Sequence, residues 1–460
     1  MTRINNAGLS KILIISLFGF LVLVGGLVAW NVINKPDPPP SPVTLNIWGV
    51  WDETSDWQQI ISSYNALHPY ITINYSKIRY EEYEKMLLEG WATSSGPDIF
   101  AIPNSWVQSY SSKFIYPLPA TTAVSYYTTK KVLFKTETTI EKRNEPSLNA
   151  GSINRDYIDT VYNDIIIGGQ IYGLPMGINT LALYFNRDLL SQANIVQPPQ
   201  TWSDFTNMVQ SIAIVNNDDE IVRAATALGG YDNMANVSDI VTLLLMQNGA
   251  NMTVVKKQAL FNQASSSDPT YFPAQEALRF YTDFSNPTKS VYTWNNQMPD
   301  ALNEFASGKL AFLFAYPFQE SEIRAKAQGI NYEVSTIPQI NPNNKVNYAN
   351  YWIYTVAKNS PYVGFAWNFL QYAANTANVT SYIENTQQTS ALRSVITEQL
   401  KDPDRGVLAQ QALTAKSWYR GQNPQNTEIY FSEMIENIVN ETLTIEKALE
   451  VAANKIGSEY

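Results

Sequence analysis

Residues 43–75 read VTLNIWGVWDETSDWQQIISSYNALHPYITINY. Val43-Thr44-Leu45-Asn46-Ile47-Trp48 alternates apolar and polar residues, the period of a strand with one face buried. From Asp56 to Leu67 the apolar residues fall at Trp57, Ile60, Ile61, Tyr64 and Leu67, a helical spacing. Pro69 biases His68 out of the helical region and ends the helix there. Ile71-Thr72-Ile73-Asn74-Tyr75 then reads as a second strand. A helix between two strands is the crossover that a parallel pair requires, so the fold class is α/β.

The same reading extends along the chain. Leu181-Ala182-Leu183-Tyr184-Phe185 and Lys309–Phe314 are apolar runs of buried strands, and Tyr348–Val356 is aromatic and β-like. Thr201-Trp202-Ser203-Asp204 carries an N-cap signal for a helix. Further helices are expected over 274–284, 298–307, 363–374, 429–439 and 445–456. Ala120–Asp156, rich in Thr, Lys, Glu and Asn, follows no period and is expected to be a variable excursion. There is no internal repeat.

At 460 residues and 45% hydrophobic, the chain can bury two cores. The absence of Cys excludes disulfides, thiolate metal sites and Cys nucleophiles, and a single histidine excludes a multi-histidine metal centre. His68, between a helix end and a strand, reads as a structural turn residue. The formal net charge is −10; the first 35 residues hold Arg3, Lys11 and Lys35 and no acid, so the remainder is more acidic still. That argues against nucleic acid or anionic lipid as a partner. No EF-hand loop, P-loop or HExxH occurs, no catalytic constellation is visible, and no cofactor or metal is expected. Asp and Glu are plentiful enough that a carboxylate pair at the roughly 5–9 Å of a glycosidase stays open at this stage.

Ile12 to Asn34 carries no charge and is long enough to span a bilayer, which takes about 20 apolar residues. Arg3 and Lys11 before it put residues 1–11 in the cytoplasm and the rest outside. A cleaved signal peptide is the competing reading, but its apolar core would be shorter, and Val28-Ala29-Trp30 is a poor cleavage site. The expectation is therefore an uncleaved transmembrane anchor over 12–34 in the cell membrane. Residues 35–42, Lys-Pro-Asp-Pro-Pro-Pro-Ser-Pro, form a stiff extended spacer.

Four phrases recur in one order: GPDIF at 96–100, GGQIYGLPMGINTLALYFNRDLL at 168–190, PPQTWSDF at 198–205 and ASGKLAFLFAYPF at 306–318. Together they resemble the extracellular solute-binding proteins of ABC importers, in the maltose-binding-protein-like branch that binds sugars and oligosaccharides. The resemblance implies a two-lobed periplasmic-binding-protein-like fold of type II. It puts 43–178 plus 338–398 in lobe one and 179–337 plus 399–460 in lobe two, with crossings near 177–181, 335–340 and 397–401. It implies a monomer that captures a carbohydrate between the lobes, delivers it to an ABC permease, and is not an enzyme. The alternatives are an anchored extracellular glycoside hydrolase, a binding protein for a non-sugar solute, and a scaffold.

A sugar presents apolar C–H faces and a rim of hydroxyls, so its site needs flat aromatic platforms with polar groups beside them. With 11 Trp and 28 Tyr, position must select among candidates. Trp51 and Asp52 follow the first strand, where open α/β sheets bind ligands. Trp106 stands past the GPDIF strand, where relatives place binding residues. Asn179 falls at the first crossing and can both donate and accept. Phe318 takes the aromatic position of the Gly-x-Trp found in relatives, losing the indole N–H. Asn350-Tyr351-Trp352 replaces a stretch that is usually Gly-rich, putting Trp352 beside the cleft. Trp418 and Tyr419 resemble another cleft-lining position. Asp98, Tyr172 and Asn186 are expected to be structural.

Overall fold

The computed structural model describes residues 40–132, 135–403, 405–419 and 421–460. The expected tail 1–11, anchor 12–34 and spacer residues 35–39 lie outside the described residues. Among the described residues no helix is long and apolar enough to cross a membrane.

In chain order the main strands are β1 (Val43–Gly49), β2 (Ile71–Lys77), β3 (Ile99–Pro103), β4 (Thr121–Val132), β5 (Lys135–Pro146), β6 (Ala182–Asn186), β7 (Ile221–Thr226), β8 (Leu310–Ala315), β9 (Tyr332–Ser335) and β10 (Trp352–Val356). The helices that bear on the site are α1 (Thr54–Leu67), α2 (Tyr80–Ala92), α3 (Val237–Gln247), α4 (Pro424–Val439) and α5 (Ile445–Ser458).

Lobe one is built on a sheet of order β10-β3-β1-β2. β1 pairs in parallel with β2, Val43 facing Ile71 and Gly49 facing Lys77, and in parallel with β3. The alternation read in the sequence is the burial pattern: Val43, Leu45 and Ile47 are buried, Thr44 and Asn46 exposed. α1 returns over the sheet with Trp57, Ile60 and Tyr64 inward. Asp98 serves the fold, accepting the Asn46 amide at 2.9 Å and the Ser360 hydroxyl at 2.6 Å.

Lobe two carries a mixed sheet of order β9-β6-β8-β7, extended by the short strand Ile214–Val215. β7 and β8 are parallel, while β6 runs antiparallel to both β8 and β9. β6 is buried along its whole length, as an unbroken apolar run demands. The Asn186 side chain accepts the amides of Asp188 and Leu189, capping the helix that follows. The expected N-cap at Thr201 is present, its hydroxyl accepting the Asp204 amide at 3.1 Å.

The two lobes have separate apolar cores, so the crossings can be read from where the cores change. They change between Ile178 and Leu181, between Tyr348 and Ala349, and between Ala415 and Trp418. The last two lie later than the expected 335–340 and 397–401. The helix Gly406–Ala412 straddles the lobes, with Ala409 and Ala412 in the core of lobe one and Leu408 packed toward lobe two. Gln411 ties this hinge together: its side chain accepts the Ile337 amide at 2.9 Å, and Asn347 donates to its carbonyl at 3.3 Å.

The unreadable stretch after Ala120 is a long antiparallel hairpin, β4–β5. His68 is part of its seat: Nδ1 lies 2.9 Å from the Ser125 carbonyl, and the ring packs between Tyr64 and Tyr126, each 4.5 Å away. Burial holds its pKa below the ordinary value, which keeps it a neutral structural group.

Candidate functional site

The cleft between the lobes gathers residues from strand ends and helix starts. Trp51 and Asp52 follow β1, Ser105 and Trp106 follow β3, Tyr80 opens α2, and Trp352 opens β10 opposite Pro103. These form the lobe-one wall. From lobe two come Phe318 just past β8, Asp239 in the first turn of α3, and Glu428 on α4. Asn179 sits in the first crossing.

The lobes meet through stacked rings. Trp51 stacks on Tyr80 at 5.7 Å and on Phe318 across the cleft at 5.0 Å, with Trp352 edge-on at 6.1 Å. Phe318 in turn lies parallel to Tyr316 at 5.2 Å. Trp106 stacks on Tyr110 at 5.2 Å. Trp51 keeps 39% of its surface exposed, which is unusual for an indole this crowded.

This ring partition separates two cavities. One, of about 350 Å³, is walled by Trp51, Tyr80, Trp106, Phe318, Trp352 and the α3 and α4 residues Asp239 and Glu428. The other, of about 30 Å³, lies on the hinge side and is lined by Asp52, Asn179, Tyr354, Tyr382 and the same Trp51, Phe318 and Trp352. A third, of about 40 Å³, sits behind Asp239 and Glu428 and is lined by Trp418 and Tyr419. All eight expected residues therefore line the interlobe space, in two different situations.

Trp51, Trp106, Phe318 and Trp352 offer ring surface to the large cavity. Asp52, Trp418 and Tyr419 are buried and engaged within the protein. The Asp52 carboxylate accepts from Trp57 Nε1 at 3.1 Å, from Tyr382 Oη at 2.5 Å and from Tyr354 Oη. Burial raises its pKa, and these three donors pull it back. Trp418 packs edge-on against Tyr419, Phe261 and Phe431. Asn179 is only 5% exposed and its Oδ1 has no hydrogen-bond partner among the described residues, while its backbone carbonyl accepts the Asn350 amide at 3.1 Å.

Asp239 and Glu428 were not anticipated. Asp239 accepts from Tyr316 Oη at 2.7 Å and Asn350 Nδ2 at 3.1 Å, and burial raises its pKa. Glu428 lines the large cavity and keeps an exposed side chain. Desolvation first, then the charge of Asp239, push it up to about 7. In the sequence both look like ordinary helix acids, because their proximity spans α3 and α4. Tyr80 was likewise unmarked.

The Glu428 shift has a sign that can be tested. Its folded value, about 7, exceeds the ordinary 4.5, so the native state holds the proton more tightly. The stability this contributes is fully present below pH 4.5 and is lost as pH rises through about 7. Glu428→Gln is expected to flatten the melting-temperature curve over that interval, measured by calorimetry. A variant curve parallel to the wild type would contradict the shift.

Among the described residues no group of three His, Cys, Asp or Glu side chains could hold a metal ion. The arrangement can clasp a flat, hydroxyl-rich molecule between rings and polar groups.

Comparison with known proteins agrees with this geometry. The family described as bacterial extracellular solute-binding protein matches residues 59–405. A putative binding protein of Brucella abortus (strain 2308) is 22% identical over 187 residues, spanning 40% of this chain and 41% of that protein. The chain thus aligns with about two fifths of the length of that relative. The maltodextrin-binding protein MdxE of Bacillus subtilis (strain 168) is 23% identical over 327 residues, 66% of this chain and 69% of that protein. Among solved structures, the cyclic alpha-maltosyl-1,6-maltose binding protein from Arthrobacter globiformis superposes with a TM-score of 0.68 at 18% identity, covering 91% of this chain and 100% of that one. An ABC transporter solute-binding protein from Thermotoga lettingae, bound with alpha-D-tagatose, gives 0.65 at 17% identity over 90% and 99%. At these identities the structures establish the two-lobed periplasmic-binding-protein-like fold.

Proposed function

We propose, from the premise that this chain belongs to the bacterial extracellular solute-binding protein family, that it captures a carbohydrate in the interlobe cleft and hands it to an ABC permease. The observation that carries this reading is the aromatic-walled cavity of about 350 Å³ between the lobes, bounded on its hinge side by the stacked pair Trp51 and Phe318. Indole and phenyl faces suit the C–H faces of a pyranose, and Ser105, Asn236, Ser238, Gln425 and Ser432 offer neutral partners for its hydroxyls. A pocket of this size fits an oligosaccharide segment. The relatives named as maltodextrin- and maltose-type binders support the same solute class.

In this reading the ligand contacts both walls, so it binds the closed form more tightly and shifts the lobes toward closure. Trp51, Trp106, Phe318 and Trp352 are the platforms. Asp52, Trp418 and Tyr419 hold the platforms in place. Asn179 supplies its unpaired carbonyl from the hinge. We place lobe one at 43–178 plus 349–415 and lobe two at 179–348 plus 418–460, moving the return boundaries of the expected 338–398 and 399–460 to where the cores change, in a type II binding-protein arrangement. Residues 12–34 anchor a monomer in the cell membrane with the lobes outside, and the chain makes and breaks no bond.

The test is a thermal-shift screen of residues 41–460 against mono- and oligosaccharides, followed by titration calorimetry and recovery of the sugar. A ligand of the native state raises the melting temperature with its concentration. Recovery of intact sugar supports the reading; cleaved sugar makes the protein a hydrolase, and no response to any sugar overturns it.

Asn179→Ala separates a ligand contact from a packing role. Its orphan Oδ1 costs the ligand-free protein, so its removal is expected to leave the melting temperature level or slightly higher. If the ligand supplies the missing donor, affinity falls about tenfold by calorimetry. An unchanged affinity would give Asn179 a structural role only.

A further inference from the structure

Each ring on the hinge side of the large cavity is braced by another ring. Trp51 stacks on Tyr80 at 5.7 Å. Phe318 lies parallel to the fully buried Tyr316 at 5.2 Å, and the Tyr316 hydroxyl donates to Asp239 at 2.7 Å. Trp352 stands edge-on to Trp51, Tyr80 and the buried Tyr83, at 6.1, 6.2 and 5.9 Å, and its backbone is paired into the sheet opposite Pro103. Rings packed this closely form a firm partition.

The space behind the partition is small. A water-sized group needs about 10–15 Å³ of such space, so the hinge-side cavity of about 30 Å³ takes about two of them and no pyranose ring. Its polar lining is already engaged. Asp52 accepts from Tyr354 and Tyr382, and Gln388 donates to Tyr382 Oη at 3.4 Å. Among the described residues, Asn179 Oδ1 is the one buried side-chain polar atom of that lining without a partner. An amide oxygen only accepts, so it calls for a single donor. Volume and hydrogen-bond demand are independent observations, and both fit one hydroxyl or hydroxymethyl group.

On the other side the cavity measures about 350 Å³. Gln425 and Glu428 line it, are exposed, and take no part in the hinge-side cavity. A sugar chain can therefore leave toward α4 and cannot continue toward the hinge.

Resting on the carbohydrate reading above, we propose that Trp51, Phe318 and Trp352 form a chain-end stop. The cleft takes the terminus of a linear oligosaccharide, whose last ring abuts the three aromatic rings and whose terminal hydroxyl reaches Asn179. Chains blocked at that end, or closed into a circle, are rejected by clash with the rings. Trp352 sets this specificity, because its indole stands edge-on to the Trp51–Phe318 stack and lines both cavities. Without it the two spaces join.

The experiment is titration calorimetry on residues 41–460 with linear malto-, cello- and xylo-oligosaccharides from di- to hexasaccharide, and with α-cyclodextrin. The best linear probe is then blocked by a bulky aromatic group at its reducing end or at its non-reducing end. One blocked form is expected to bind about tenfold or more weakly than the free chain, and the other within about twofold of it. Trp352→Ala is expected to shrink the penalty for the blocked end to about twofold while the free chain still binds. Two blocked forms that behave alike, both bound or both rejected, overturn the stop and leave the carbohydrate reading standing. So does α-cyclodextrin bound as tightly as maltohexaose. A blocked-end penalty that persists in folded Trp352→Ala overturns the role given to that indole, and the wild-type comparison stands without the variant. A blank with every probe overturns both readings.

Discussion

Asp52→Ala is expected to lower stability by about 3–5 kcal/mol, because it strands three buried donors at once. The Asp52 carboxylate receives Trp57, Tyr354 and Tyr382, which come from α1, from β10 and from the helix Thr376–Thr386. None of the three has room to turn toward water, since Trp57, Tyr354 and Tyr382 are all buried. For a lobe of this size the loss corresponds to a fall in melting temperature on the order of 10 °C. Its pH dependence has a defined sign. Burial raises the folded pKa of Asp52 above 3.8, so its contribution is greatest at acid pH and shrinks as pH rises through the folded value. The gap between wild type and variant should therefore be widest at the acid end of a calorimetric series. A fall of only one or two degrees would mean that the carboxylate is not the anchor its hydrogen bonds imply, and would return it to the list of groups free to bind ligand.

Trp51→Ala is expected to behave in the opposite way, sparing the fold and removing the ligand. The indole is 39% exposed and stacks on the other lobe through Phe318, so little core is lost with it. It is nevertheless one of the rings that line both the large and the hinge-side cavity, and it stacks on both Tyr80 and Phe318. Loss of one stacking face is put at about 2–3 kcal/mol, or roughly 30- to 150-fold in affinity for whichever sugar the screen identifies. Phe318→Ala should weaken binding in the same direction, and the double variant should lose less than the sum, since the two rings act as one unit. Binding by Trp51→Ala at wild-type strength would move the ligand out of this cleft.

These two neighbours illustrate what a sequence can separate. Trp51 and Asp52 look equally placed for a sugar, side by side past the end of the first strand. Alternation along β1 shows which face of the strand is buried, but the loop after it has no period. Only the arrival of Tyr354 and Tyr382, some three hundred residues later, commits Asp52 to the interior and leaves Trp51 at the surface. Phe318 and Trp352 were read from the family resemblance, Phe318 at the position of a Gly-x-Trp and Trp352 in a stretch that is usually Gly-rich. Tyr80, Asp239 and Glu428 were not, because an acid or a tyrosine near the start of a helix is ordinary.

The β4–β5 hairpin was hidden for a related reason. Its strands pair with each other and are rich in Thr, Lys and Glu, so no continuous apolar face betrays them. His68 could be read as structural from its place between a helix end and a strand, but not as the seat of that hairpin.

By itself the sequence determined the α/β class, the parallel start of lobe one, most helices and strands, and the family phrases. All of these rest on local periodicity, capping and short-range order, which a side chain's neighbours in the chain decide. The tertiary structure alone decided where the cores change lobes, which polar groups are satisfied, and that an aromatic wall faces a pair of carboxylates. Those depend on contacts between segments far apart in the chain, and local spacing carries no signal for them.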